Sequence, residues 1–206
     1  MNQLTDVVKN LIIINVLIYL GTHFLMPNNE WIRLAMFFPT SENFQPFQIV
    51  THMFMHANPS HIFFNMFGLY MFGSPVEALW GGRRFLFFYL FSGFGALALH
   101  MFVKYLEIQY GGVSAIGAAN VPVLGASGAI FGVTVAFGML FPETVIQLLL
   151  PPIPLKAKYF VFIYAGLELF LGVSGMESGV AHFAHLGGAL FGFLLIIYWR
   201  KFGTQL

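Results

Sequence analysis

Long apolar blocks separated by short polar clusters divide this chain. A helix needs about 20 mostly apolar residues to cross the hydrocarbon core of a bilayer. Six blocks approach that length: about Val8–Leu25, Pro59–Trp80, Phe85–Tyr105, Ala126–Phe141, Tyr159–Val173 and Val180–Trp199. The fourth and fifth are short, and the fourth is expected to begin in the protein interior. The pattern predicts an all-α polytopic membrane protein, a six-transmembrane-helix bundle forming a single domain over residues 1–206. Between the first two blocks, Met26 to Asn58 carries Trp31, Phe37, Phe38, Phe44, Phe47, Met53, Phe54 and Met55, interrupted by Asn28, Asn29, Pro39 and Pro46. It is too broken to span and too greasy for a free aqueous loop, so it is expected to lie partly in the membrane. "PPIPLKAK" (Pro151–Lys158) predicts a proline-rich connector.

Composition supports a membrane as the solvent. Hydrophobic residues make up 58% of the chain and charged residues 8%, against about 25% charged in soluble domains. Of the nine Lys and Arg, seven (Lys9, Arg83, Arg84, Lys156, Lys158, Arg200, Lys201) fall on the side holding both termini, and Arg33 and Lys104 on the other. The positive-inside rule then puts both termini in the cytoplasm. No basic run points to nucleic acid. Cysteine is absent, which excludes disulfides, a thiol nucleophile and cysteine-ligated metal. The N-terminus, with Asp6 and one base, is a poor start for a cleaved signal.

Polar groups inside apolar blocks are costly and therefore candidates for function. In "HMFMHANPSHIFFNMFG", His61 and Asn65 share one helix face, and Pro59 and Ser60 suit a helix start. His52 and His56 lie just before; without a neighbouring Cys, Asp or Glu they read as a structural hydrogen-bond network rather than a metal site. Ser127, in "VPVLGASGAIFG", reads on its own as a packing residue. In "AHFAHLGGALFG", His182 and His185 are three apart. The glycines change the weights. Gly128 and Gly132 in the fourth block, and Gly188 and Gly192 in the sixth, are small-xxx-small pairs that let backbones approach closely. Close approach brings a Ser127 hydroxyl to the His185 imidazole, the minimum kit for nucleophilic catalysis. His61, the Asn65 amide and the Ser127 backbone N–H can supply the donors an oxyanion needs. Glu168 is the one carboxylate well inside a spanning block, Glu77 lying close to the end of the second. It is assigned to pairing with a polar side chain elsewhere, or to a protonated state, rather than to orienting a histidine. A Ser–His dyad is favoured over a triad.

Taken in order on the second, fourth and sixth blocks, "HANPSHIFFNM", "GASGAIFG" and "AHFAHLGG" resemble the signatures of rhomboid intramembrane serine proteases. The likeness covers nearly the whole chain from about Phe47 onward and includes "VEALWGGRRF" and "QPFQIVTHMFMH". It implies Ser127 as nucleophile, His185 as general base, and His61, Asn65 and the Ser127 N–H as oxyanion hole. It also implies that Gly125 and Gly128 shape the site and that Phe131 packs on the catalytic histidine. The likeness is to the basic six-span bacterial type with a membrane-embedded first loop and no soluble N-terminal domain. One departure is Phe47-Gln48, where that loop often has Trp-Arg. The implied activity is hydrolysis of transmembrane segments of other membrane proteins in the lipid of a bacterial inner membrane. The site opens to the outer face and needs no cofactor or metal. Two alternatives remain. One is an inactive rhomboid-like client-binding protein, which would typically lack the serine or the histidine. The other is a small histidine-lined transporter, which would spread titratable groups across the membrane depth.

Overall fold

Six helices form on the apolar blocks in a computed structural model that describes residues 4–111, 117–148, 152–174 and 181–202. They are α1 (Asp6–Leu25), α2 (Pro59–Trp80), α3 (Gly82–Tyr110), α4 (Ser127–Leu140), α5 (Ala157–Ser174) and α6 (His182–Lys201). The expected first residue of the sixth block, Val180, lies outside the described residues, as does Pro151 of the connector. Five of these helices are long and apolar enough to cross a membrane. The chain is an all-α, multi-pass integral membrane protein. Helix α4 has 14 residues, which at 1.5 Å per residue reach about 21 Å, short of the roughly 30 Å hydrocarbon core.

Helix α4 is short because it is the centre of the bundle and faces protein rather than lipid. Every residue from Gly128 to Gly138 is buried. Helices α3 and α6 pack on it through missing side chains. A Cβ at Gly188 would sit 1.8 Å from the Gly128 carbonyl oxygen, and one at Gly192 3.0 Å from the Gly132 Cα. A Cβ at Gly128 would meet the Ala96 Cβ at 2.4 Å. The two glycine pairs seen in sequence are therefore the contact between α4 and α6.

The ends of α1 and α2 lock together through one carboxylate. Buried Glu77 on α2 accepts the Val7 and Val8 N–H groups at 2.9 and 2.8 Å, satisfying donors that a helix start leaves open and placing negative charge at its positive end. Helix α2 widens to a π-turn over Leu69–Gly73, just before Pro75, which has no N–H to give the preceding turn. Gly81, at φ +80°, ends it.

The segment between α1 and α2 is embedded, with Trp31, Met36, Phe37, Met53 and Met55 buried. Gln48 is its hub. Fully buried, its Oε1 accepts the Phe37 and Gln45 N–H groups at 3.3 and 3.1 Å, and its Nε2 donates to the Arg33 and Asn43 carbonyls at 2.9 and 2.8 Å. Every hydrogen-bonding position of the amide is used. The departure seen at Phe47-Gln48 is thus an anchor of a different kind: Gln48 ties the loop from inside, while Phe47 stays exposed. The loop is stitched to the segment leading into α4 by reciprocal Met36–Val123 backbone bonds of 2.9 Å and by Ser41 Oγ on Asn120 Oδ1 at 2.7 Å. A two-stranded hairpin, β1 (Val145–Gln147) and β2 (Pro154–Lys156), joins α4 to α5.

Candidate active site

Ser127 is the first residue of α4. Its backbone N–H therefore belongs to the first turn, where N–H groups lack intrahelical acceptors and the helix dipole is positive. The preceding Gly125 has φ +121°, and its N–H donates to the His52 carbonyl at 2.8 Å. A Cβ at Gly125 would lie 2.8 Å from His61 Nε2 and 3.6 Å from Ser127 Oγ. Only glycine leaves that space open, and the His61 and Ser127 side chains border it. A small cavity beside it is lined by His52, Leu124, Gly125 and Ser127.

His61 and Asn65 reach the site from the first turns of α2. Asn58 caps that helix, its Oδ1 accepting the His61 N–H at 2.8 Å and the Ser60 hydroxyl at 2.7 Å. The Ala57 N–H points to His61 Nδ1 at 3.4 Å, so the ring proton belongs on Nε2, the nitrogen facing Gly125. Asn65 is buried, and its Nδ2 has no partner among the described residues. His56 stands edge-on to His61 with ring centroids 5.0 Å apart. Burial, with His61 beside it, pushes His56 down to about 3, so it is neutral at neutral pH. His52 donates Nδ1–H to the Gln48 carbonyl at 2.8 Å. The hydrogen-bond role read from sequence is thus seen at His52, whereas neither ring nitrogen of buried His56 has a hydrogen-bond partner among the described residues.

His185 comes from the first turn of α6. The Ser127 hydroxyl donates to its Nε2 at 2.9 Å. Phe131, one turn along α4, stacks on the His185 ring, with centroids 4.3 Å apart and planes 5° from parallel. The glycine contacts hold these two helix starts together.

The other side of His185 corrects the sequence reading. Glu168, on α5, is hydrogen-bonded to the histidine beside Ser127: its Oε2 accepts the Nδ1–H of His185 at 2.9 Å and that of His182 at 2.7 Å. Glu168 and His182 are both buried. The geometry is a continuous Ser127–His185–Glu168 array rather than an isolated pair. The available signal was a carboxylate well inside an apolar span, whereas Glu77 lies near the end of its own; nothing in the sequence says which neighbour an α5 face meets. Among the described residues, Glu168, His182 and His185 also form a group whose ligand atoms lie within 4.8 Å of one another, the donor types of a His₂Glu metal site.

A rhomboid-domain profile matches residues 43–202, covering this whole constellation. The chain belongs to the rhomboid family. Rhomboid protease AarA of Providencia stuartii is 30% identical over 148 residues, 70% of this chain and 53% of AarA. Rhomboid-like protein 11 of Arabidopsis thaliana chloroplasts is 32% identical over 199 residues, 93% of this chain and 65% of that protein. Rhomboid protease GluP of Bacillus subtilis is 28% identical over 147 residues, 71% of this chain and 24% of GluP. The chain thus spans about half the length of AarA and a quarter of GluP.

Proposed function

We propose that this rhomboid chain is an intramembrane serine endopeptidase that hydrolyses peptide bonds in or near transmembrane segments of other membrane proteins. The observation that carries this is Ser127 Oγ at 2.9 Å from His185 Nε2, within a family that includes proteases. Ser127 attacks the scissile carbonyl while His185 takes its proton; His185 then returns that proton to the leaving amine, and water resolves the acyl-enzyme. The tetrahedral oxyanion is met by the Ser127 N–H, His61 Nε2–H and Asn65 Nδ2–H. The unpartnered Asn65 amide and the open space over Gly125 support that assignment.

Successive helices alternate direction, so Ser127, His61 and His185 all lie near helix starts that share one membrane face. Seven of the nine Lys and Arg fall towards the opposite face. We infer that both termini are cytoplasmic and that the site opens to the outer face. A helical substrate hides its carbonyls and must unwind to reach Ser127.

The test is cleavage of a single-pass substrate by purified protein, with labelling by a fluorophosphonate. Ser127→Ala and His185→Ala are expected to reduce both to background, a loss on the order of 10³-fold or more. Folded Ser127→Ala protein that still cleaves would overturn the proposal. A substrate bound but uncut by wild type, with Ser127 unlabelled, would favour a client-binding role.

A further inference from the structure

The proposed mechanism uses one nitrogen of His185 and leaves unexplained a buried carboxylate on the other. A carboxylate inside a membrane protein is costly unless it is paired and hydrogen-bonded. Glu168 gains two N–H donors, from His182 at 2.7 Å and His185 at 2.9 Å, both on Oε2. The two histidines are three residues apart on α6, so both face α5. Helix α5 thereby brings its charge directly to the ring that Ser127 touches.

The consequence lies in the tautomer. His185 can accept the Ser127 proton only if Nε2 carries a lone pair, which requires the ring proton on Nδ1. A carboxylate acceptor at Nδ1 selects that tautomer and no other. When the Ser127 O–H proton moves to Nε2 as the Oγ–C bond forms, His185 becomes an imidazolium. Its Nδ1–H stays in place and faces a negative charge. Glu168 need not be protonated at any step, and the leaving amine takes the Nε2 proton.

We propose that Glu168 is a positioning residue for the Ser127–His185 pair, with His182 fixing the carboxylate that fixes His185. This rests on the protease reading above. The same three side chains offer a metal-like donor set, but their separations are those of hydrogen bonds. Ligands of a tetrahedral zinc at 2.0–2.1 Å stand about 3.3 Å apart, whereas these atoms are at the hydrogen-bond separations of 2.7 and 2.9 Å. An ion on His185 Nδ1 would also force the proton onto Nε2 and remove the base.

The test compares wild type, Glu168→Gln, Glu168→Ala, Glu168→Asp and His182→Gln, each checked for folding by its melting midpoint. Glu168→Gln is expected to lower kcat about 10²–10³-fold with KM within about threefold, and to slow fluorophosphonate labelling in parallel. Glu168→Asp should recover part of what Glu168→Ala loses, and His182→Gln should lose less than Glu168→Gln. A structural role alone would lower the melting midpoint and leave kcat of the folded fraction unchanged, which would overturn the proposal. The tautomer is read on unaltered protein from ¹⁵N-histidine spectra, assigned with His185→Ala. A proton on His185 Nδ1 is expected, and one on Nε2 overturns the assignment even if no Glu168 variant folds. Activity lost to a chelator and restored by zinc would overturn it in favour of a metal site. Loss of cleavage in Ser127→Ala alongside full activity in Glu168→Gln would remove Glu168 and leave the protease reading standing.

Discussion

Helix α4 is buried along its length from Gly128 to Gly138, whereas α5, the next helix in the chain, has 11% of its membrane-length window buried. Helix α4 touches α6 through bare backbone, Gly188 against the Gly128 carbonyl. Helix α5 presents Phe162, Leu167, Leu169, Phe170 and Val173 outward, and a Cβ at its Gly166 would meet nothing within 4 Å. Ser127 sits on the tightly held helix and the buried Glu168 carboxylate on the more exposed one. The proposed chemistry needs placement of reacting atoms to a fraction of an ångström, and close glycine packing holds the helix starts that carry Ser127 and His185. Glu168 reaches the same site from a helix that packs through its own pairing with His182 and His185, through Gly138 of α4 against Val161 near its start, and through apolar contacts such as Phe131 with Tyr164.

The largest effect that would break this contrast comes from adding one methyl group to each side. At Gly188 the new Cβ would overlap backbone, not the end of a flexible side chain. Gly188→Ala is therefore expected to cost about 3 kcal/mol or more, the upper end of overpacking, and to abolish cleavage by separating α4 from α6. Gly166→Ala, in open space, should leave stability unchanged or raise it by up to about 1 kcal/mol. Denaturant unfolding in detergent, run alongside cleavage assays, measures both. Equal sensitivity at the two positions would show that α5 is packed as tightly as α4.

A second, smaller effect concerns the brace at the mouth of α4. Gln48→Ala strands two N–H donors and two carbonyls inside the first loop. The expected cost is about 1–3 kcal/mol, with faster hydrogen exchange at the Phe37 and Gln45 amides and little change within α4. Exchange that also speeds at Ala129 to Val133 would mean that the loop, rather than glycine packing, holds the helix carrying Ser127.

The part of this picture that sequence conveyed follows from local patterning. Block length located the helices because lipid sets a minimum length for the five that can cross it, while α4, enclosed by protein, falls below that length and still reads as an apolar block. The Gly128/Gly132 and Gly188/Gly192 pairs announced a close crossing because spacing fixes which residues share a helix face. The crossing in turn gave Ser127 its partner. Two features were not legible, for one physical reason. Gln48 and Glu168 draw their meaning from atoms outside their own periodicity: backbone groups of an irregular loop for Gln48, and imidazoles on a neighbouring helix for Glu168. An isolated polar residue in an apolar block signals that some partner exists without saying which.

The smallest effect probes the hairpin that links the two helices. Glu143 follows the end of α4 and pairs with Lys156, at 2.7 Å, and with Lys158 at the start of α5. Those lysines hold its carboxyl down from an ordinary 4.5 to about 2. A carboxyl depressed in the folded state contributes stability above its unfolded value, and that contribution fades as pH falls from about 4.5 towards 2. Glu143 is exposed, so salt screens the pair and its worth at neutral pH is small. Glu143→Gln should therefore barely change the melting midpoint at neutral pH but should flatten its decline between pH 4.5 and 3. About 0.5 M salt should mimic the substitution in the unaltered protein. A neutral-pH loss as large as that of Gly188→Ala would reverse the contrast, because α5 would then be pinned at its start by this ion pair and held as firmly as the helix carrying Ser127.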